Sequence, residues 1–259
     1  MAIAANVNSQ FRRDRLVISY APHSIVDIEY PPLPAFRLAA QEIVPTGSTE
    51  RMRWVEFLLR PEAMRSGPSV EQYIRRAYRR DGNEFDHRVI EKAFAEARAL
   101  PVDTRFSVNI LPTTLEDPSL LETVWSSAEE SRIDLNRLIL EVIEFGGAVE
   151  LNSSFETIVE LRRAGVGVAL DDYGQGFSNL DMVSAGLVDF IKLDRSIVQG
   201  GPRTPNSRGV IEGLQAFAEA TGLSLVAEGV ETAEQVSAIE QFGVSWIQGF
   251  LFSRPQFLK

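Results

Sequence analysis

The 259-residue chain has no cysteine. That excludes a disulfide scaffold, a cysteine-ligated zinc, an iron–sulfur cluster and a thiol nucleophile, and fits a reducing compartment. Histidine is nearly absent too: the two present, His23 and His87, stand alone in the sequence and leave little room for a histidine-rich metal site. No apolar run approaches the roughly 20 residues needed to span a bilayer. The opening MAIAANVNSQFRRDR carries neither a basic leader with a long apolar stretch nor a cleavage pattern, so the sequence reads as cytoplasmic. Positive charge is the scarce sign. With 26 Lys+Arg against 36 Asp+Glu the formal charge is −10, which disfavours a non-specific grip on a nucleic acid or an anionic membrane. An anionic ligand therefore needs local help. Tandem repeats and low-complexity tracts are lacking as well.

What is present is an ordinary globular composition, 44% apolar and 24% charged, long enough to bury a substantial core as one large domain or two small ones. Residues 1–35 carry Arg12, Arg13 and Arg15 and a run with Pro31, Pro32 and Pro34 that suits neither a regular helix nor a central strand. They read as an extension ahead of a main domain spanning 36–259. From Phe36 onward, eight short β-prone runs recur, at 36–44, 55–60, 105–110, 138–144, 165–171, 190–194, 223–230 and 246–251. Most gaps have room and apolar spacing for a helix, as in Val89, Ile90, Ala93, Phe94 and Ala97, or Phe155, Ile158, Val159 and Leu161. Only PTGSTERMRW, with Pro45 and Gly47, separates the first two runs, so those strands should pair antiparallel. The alternation predicts an α/β fold, a (β/α)8 barrel with an irregular start; a doubly wound open sheet is the alternative.

Ionisable or amide residues stand in or at the ends of nearly all these runs: Gln41, Glu56, Asn109, Glu141, Glu144, Asp171, Asp172, Lys192, Glu228, Glu231 and Gln248. In a parallel barrel those ends open on one face, where barrel enzymes place their sites. A single carboxylate there is more often a helix cap or surface charge; their convergence is the signal. Glu56, Glu141, Asp171, Asp172 and Glu228 in one pocket would repel one another, and buried carboxylates either take protons or bind cations. All-oxygen ligation, with Asn109 adding an amide carbonyl, selects a hard ion such as Mg2+ or Mn2+ over zinc. The adjacent Asp171 and Asp172 suit a two-metal centre, the arrangement common in phosphodiester hydrolysis. Lys192 then reads as a fixed charge beside an attacking water or a phosphate oxygen, or as a salt bridge to a neighbouring carboxylate.

The motifs, in order, are Glu56-Phe-Leu-Leu-Arg60, Asn109 in SVNI, Glu141-Val-Ile-Glu144, Asp171-Asp-Tyr-Gly-Gln-Gly-Phe-Ser-Asn-Leu180, Phe190-Ile-Lys-Leu-Asp194, Ala227-Glu-Gly-Val-Glu231 and Gln248-Gly-Phe-Leu-Phe252. On these the chain resembles the EAL domains, bacterial phosphodiesterases and receptors of cyclic di-GMP, from Phe36 to the C-terminus. The resemblance implies a modified TIM (β/α)8 barrel with an antiparallel first strand pair. It implies Glu56, Asn109, Glu141 and Asp171 as ligands of one Mg2+ or Mn2+ ion, and Asp171 and Asp172 as ligands of a second. Glu228 would be a metal ligand or general base, and Lys192 would hold the nucleophilic water. Gln41, Arg60, Glu231 and Gln248 would contact or position the dinucleotide, and Glu144 would anchor the loop that starts at Asp171. A homodimer is implied as well. The implied activity is metal-dependent hydrolysis of cyclic di-GMP to linear pGpG; the alternative is a weak or inactive EAL-type receptor or protein-interaction module, without membrane or nucleic-acid partners.

The sequence departs from the family pattern at Phe57, in the middle of the name-giving triplet where Ala is usual, at Pro61 and Glu42, and in the loop at Gln175 and Phe177. Strand alternation turns Phe57 away from Glu56, under the surrounding helices. A long side chain at Gln175 is expected to alter how the loop closes or how two subunits pair. Arg75, Arg76, Arg79 and Arg80 recur at helical spacing and read as a solvated helix face. The lone Gly174-x-Gly176 does not make a dinucleotide fingerprint.

Overall fold

The computed structural model describes residues 8–12, 15–20, 24–29, 33–47, 53–62, 69–143, 150–173, 180–200 and 205–258. The chain divides into two units, Met1–Arg37 with Leu59–Phe85, and Leu38–Leu58 with Asp86–Lys259.

In the first unit, β1 (Asn8–Arg12), β2 (Arg15–Tyr20) and β3 (Ser24–Glu29) form an antiparallel three-stranded sheet. Helix α1 (Val70–Asp81) belongs to the same unit and starts at a capping box. The Ser69 hydroxyl accepts from the Gln72 amide while the Gln72 side chain accepts from the Ser69 amide, satisfying two donors that a helix start leaves open. Tyr73, on its buried face, donates to the Pro34 carbonyl at 2.7 Å and packs with Tyr78 around Phe85. Arg75, on the exposed side of α1, pairs with Glu71 one turn earlier at 2.9 Å, as a solvated face should.

The second unit holds most of the barrel, with residues 36–37 of its first strand and 59–61 of its second counted in the first unit. The barrel wall is β4 (Phe36–Pro45), β5 (Arg53–Pro61), β6 (Thr104–Ile110), β7 (Leu138–Val142), β8 (Gly167–Tyr173), β9 (Phe190–Leu193), β10 (Ser224–Ala227) and β11 (Trp246–Gln248). Neighbours from β5 to β11 pair in parallel, and β11 closes the ring by pairing antiparallel with β4. The first strand thus runs against the other seven, as the short first gap predicted. A two-residue β12 (Gln256–Phe257) lies along β4 as a further antiparallel partner. Helices return the chain between strands: α2 (Glu84–Ala97), α3 (Ser119–Ser131), α4 (Leu151–Arg163), α5 (Leu180–Ser184), α6 (Arg195–Gly200), α7 (Pro205–Thr221) and α8 (Ala233–Glu240). None among the described residues is long and apolar enough to cross a membrane.

Strand alternation sorts the side chains into inside and outside. Outside, Phe57 is 2% exposed and stacks at 5.8 Å from Phe106, which meets Phe94 of α2 edge-on at 5.2 Å. The departure from the family's small residue at position 57 is absorbed by packing under a helix. Inside, Ile43, Trp54, Ile139, Ala169, Phe190, Val226 and Trp246 form one apolar cluster. Trp54 sits at its centre, with ring centroids 4.8 Å from Phe190 and 5.6 Å from Trp246, and its indole N–H donates to Ser107 Oγ at 2.9 Å. The aromatic bulk fills the barrel interior, so the barrel is a packed core and not a pore.

Two of the eight runs end three residues earlier as strands than the sequence suggests. β10 stops at Ala227 and β11 at Gln248, and the residues after each belong to loops. The cause is a close backbone crossing. Val230 donates to the Gln248 carbonyl at 3.1 Å and accepts from Leu251 at 3.2 Å, and a Cβ at Gly249 would lie 1.9 Å from the Val230 oxygen. Only glycine can stand there.

Candidate functional site

Two residues further along almost every strand, the inward side chains change from mostly apolar to charged or amide. Trp54 is followed by Glu56, Ser107 by Asn109, Ile139 by Glu141, Ala169 by Asp171, Phe190 by Lys192, Val226 by Glu228 and Trp246 by Gln248; on the reversed β4, Ile43 is preceded by Gln41. Period-two geometry makes these the next interior layer toward the ends of the parallel strands.

Lys192 is the centre of that layer. Its ammonium, 1% exposed, lies 2.5 Å from Glu141 Oε2, 2.6 Å from Glu228 Oε1, 2.9 Å from Asp171 Oδ1 and 3.3 Å from Glu56 Oε2. Glu56 is held from two further sides. Asn109 Nδ2 donates to its Oε1 at 2.8 Å and Gln248 Nε2 to its Oε2 at 2.7 Å. Gln248 also reaches Gln41 Oε1 at 3.3 Å, while Gln41 Nε2 donates to the Ser253 carbonyl at 3.1 Å. The two glutamines thus tie the cluster to the segment that follows β11.

Four carboxylates face one ammonium, an excess of three negative charges when all are ionised. The interior responds through its protonation equilibria. Burial, and then the charge of Glu56, push the Glu141 carboxyl up to about 8 despite Lys192. Burial also raises Glu228 well above the usual carboxylate range, with Asp171 and Glu56 adding to it against the pull of Lys192. For Glu56 burial acts upward but is overcome by Lys192 and by the donors Gln248 and Asn109, so it stays below its ordinary value. Lys192 itself is held well above its ordinary value: burial alone would lower it, and the surrounding carboxylates reverse that.

Three buried acceptors in this layer, Asn109 Oδ1, Glu141 Oε1 and Gln248 Oε1, have no hydrogen-bond partner, and Asp171 Oδ1 meets only the Lys192 ammonium. Buried oxygens of that kind are normally satisfied, and here they add to an all-oxygen donor set in a pocket of excess negative charge. That donor chemistry fits a hard divalent cation. Among the described residues no group of three or more His, Cys, Asp or Glu side chains is arranged as a ready cage for one; the carboxylates close on Lys192 instead.

Above the cluster opens a cavity of about 240 Å³, lined by Gln41, Glu56, Asp171, Lys192, Glu228, Glu231 and Gln248 together with Leu58, Arg195, Gly229, Gly249 and Phe250. Of the residues singled out from the sequence, Gln41, Glu56, Asn109, Glu141, Asp171, Lys192, Glu228, Glu231 and Gln248 are thus brought together. Arg60 lies on β5 within the first unit, where its Nη1 donates to the Leu59 carbonyl at 2.8 Å. Asp172 continues β8 through its backbone, and its side chain lies outside the described residues, as do Glu144, Gln175 and Phe177. Sequence reasoning overlooked Arg195, which pairs with Glu231 at 3.3 Å, and Phe250, whose ring has the Arg254 guanidinium 4.3 Å from its centroid. Arg195 stands directly behind the FIKLD run, and that position was its available signal.

A closed α/β barrel with an acidic, cation-centred mouth defines a class of protein whose chemistry sits at the strand ends. The EAL domain family matches residues 5–255, and the chain belongs to it. The cyclic di-GMP phosphodiesterase RocR of Pseudomonas aeruginosa is 38% identical over 155 residues, covering 60% of this chain and 39% of RocR. The probable cyclic di-GMP phosphodiesterase PdeA of Escherichia coli is 31% identical over 175 residues, 66% of this chain and 24% of PdeA. The chain therefore spans well under half the length of these relatives. Among solved structures, BlrP1 of Klebsiella pneumoniae in its calcium and cyclic di-GMP complex at pH 8.0 superposes with a TM-score of 0.72 at 28% identity, over 85% of this chain and 56% of that one.

Proposed function

We propose that the chain hydrolyses cyclic di-GMP to linear pGpG with the help of divalent metal, Mg2+ or Mn2+. The observation that carries this reading is the interior layer in which Glu56, Glu141, Asp171 and Glu228 surround Lys192 while Asn109 Oδ1 and Glu141 Oε1 remain unpaired. Family membership and the names of RocR and PdeA support it.

Glu56, Asn109, Glu141 and Asp171 would hold one ion, and Asp171 with Asp172 a second, with Glu228 beside them as ligand or general base. When bound, such ions supply activation of water and neutralisation of charge on the phosphoryl group. The chain's own residues do the rest. Lys192 is a fixed cation that keeps the carboxylates aimed at one point, and it would hold the attacking water in place of one of them. Gln248 and Asn109 lock the Glu56 carboxylate in one orientation, a requirement when reacting groups must be placed within a fraction of an ångström. Gln41, Arg60, Glu231 and Gln248 contact or position the dinucleotide, and Glu144 anchors the loop that follows Asp171. The working form in this reading is a cytoplasmic homodimer, with residues 1–35 an extension ahead of the barrel domain.

The direct test is incubation of the pure chain with cyclic di-GMP and Mg2+ or Mn2+, with an EDTA control, followed by chromatographic separation of products and a parallel binding measurement. Metal-dependent pGpG is the expected result. Binding without product would make the barrel a receptor, and the absence of both binding and product would overturn the nucleotide reading.

A further inference from the structure

The chain leaves Asn109 through a turn that a neighbouring helix grips from outside the cavity. β6 ends at Ile110, and a short 3-10 turn, Pro112–Glu116, leads on to α3. Asp86, the third residue of α2, is wholly buried. Its Oδ2 accepts from the Leu111 backbone N–H at 2.8 Å and from the Thr114 hydroxyl at 2.5 Å. His87 beside it meets Thr123 Oγ1 at 2.6 Å and lies 3.5 Å from Asp117 Oδ2. Two consecutive residues of one helix thus hold two successive stretches of the segment behind Asn109, and neither lines the cavity.

We propose that Asp86 is a positioning residue for the reaction: by pinning Leu111 and Thr114 it fixes the end of β6 and, through it, the aim of the Asn109 amide. The assignment rests on the reading of Asn109 as a metal ligand above. An exposed side chain suffices to close a turn, as the Ser69 hydroxyl does at the start of α1, whereas a buried carboxylate is unfavourable unless its oxygens are paired. Asp86 makes its bonds where Asn109 needs support. Asn109 Nδ2 donates to Glu56 Oε1 at 2.8 Å, and its Oδ1 has no partner. A single hydrogen bond leaves an amide free to swing about the line joining it to Glu56, so the direction of the unpaired oxygen is set by the backbone beneath it. The register with β7 holds that backbone as far as Ile110, and Asp86 takes over at Leu111. Groups that support a metal ligand from behind keep its donor atom aimed at the ion.

The test is titration of the full chain with Mn2+, read by electron paramagnetic resonance, for the wild type, Asp86→Ala, Thr114→Val and Asn109→Ala, and for each of the first two combined with Asn109→Ala. Asp86→Ala removes both bonds and should weaken Mn2+ binding by roughly 10- to 100-fold. Thr114→Val removes one bond while keeping the side-chain shape, and should weaken binding less. Asn109→Ala should leave a weaker but measurable site, because Glu56, Glu141 and Asp171 remain. Combined with it, neither substitution should weaken binding further, since each acts through the missing amide. Wild-type affinity in Asp86→Ala, or the same loss with and without Asn109, would overturn the assignment and leave the phosphodiesterase reading intact. Should Asp86→Ala fail to fold, Thr114→Val with and without Asn109 decides by the same two criteria. Wild-type affinity in Asn109→Ala would remove that residue as a ligand and the assignment with it, and a wild type that takes up no Mn2+ would overturn the metal reading itself.

Discussion

The barrel interior holds two layers built on the same strands, in the same inward phase, only two residues apart. The lower layer, around Trp54, Phe190 and Trp246, is apolar and closely packed, and its one polar side chain, Ser107, is satisfied by the Trp54 indole. The upper layer, around Lys192, is charged, over-supplied with carboxylates, and leaves acceptors on Asn109 and Glu141 unpaired. Backbone geometry cannot explain the difference, since both layers share it. The lower layer follows the rules for a stable core; the upper breaks them, and buried polar groups left unsatisfied are costly unless a ligand repays the deficit. Stability and chemistry are therefore separable along each strand, and substitutions one layer apart should fail in different ways.

The largest expected effect is on activity. Glu56→Ala or Asp171→Ala should abolish hydrolysis and weaken metal affinity. The fold should be retained, because deleting one carboxylate relieves repulsion. Unaffected turnover in both variants, measured by product chromatography, would break the division of labour. Lys192→Met should be severe in another way. It removes the only counter-charge found among the described residues for four buried or half-buried carboxylates, and breaking a buried pair costs about 3–5 kcal/mol. Denaturation in EDTA should show that loss, and Mg2+ or Mn2+ should recover part of it if the layer is a cation site. No recovery would mean that the cluster serves Lys192 alone. In the lower layer, Trp54→Ala should cost about 3–5 kcal/mol of stability through cavity formation. Turnover per folded molecule should change far less than in Glu56→Ala. A comparable loss of turnover would show that the layers are mechanically coupled.

Much of this was legible because strands write their geometry into the sequence. In Trp54-Val-Glu56-Phe57 and Phe190-Ile-Lys192-Leu193 the alternate positions carry the interior layers, so the barrel, its reversed first strand and the converging carboxylates follow from local pattern. Tertiary contacts were less legible. Lys192 reads from sequence as one salt bridge or as a water-holding group, and its four-fold pairing emerges only when β5, β7, β8 and the end of β10 meet around it. The early ends of β10 and β11 depend on the crossing of Val230 and Gly249, which are 19 positions apart in the chain. β12 has no strand pattern of its own; it exists because β4 offers an edge. Arg195 was missed for the same reason, since its partner Glu231 arrives from the loop after β10.

The smallest expected effect distinguishes the layers by pH. In the metal-free protein the Glu141 carboxyl titrates near 8, against 4.5 ordinarily, so the folded state holds a proton there that the unfolded chain has released. Between those values the unfolded state binds fewer protons at this position, and linkage requires its contribution to stability to fall as pH rises from about 4.5 to about 8. Glu141→Gln, uncharged at every pH, removes that contribution. Thermal melts in EDTA at pH 5, 6.5 and 8 should therefore show the wild type losing ground steadily to the variant, by a few degrees across the range. No such trend should separate the wild type from Ile139→Val, two residues below on the same strand, where the loss should be about 0.5–1.5 kcal/mol at every pH. Parallel curves for wild type and Glu141→Gln would mean that Lys192 alone keeps this carboxylate ionised, and that the excess charge is relieved at Glu228 instead.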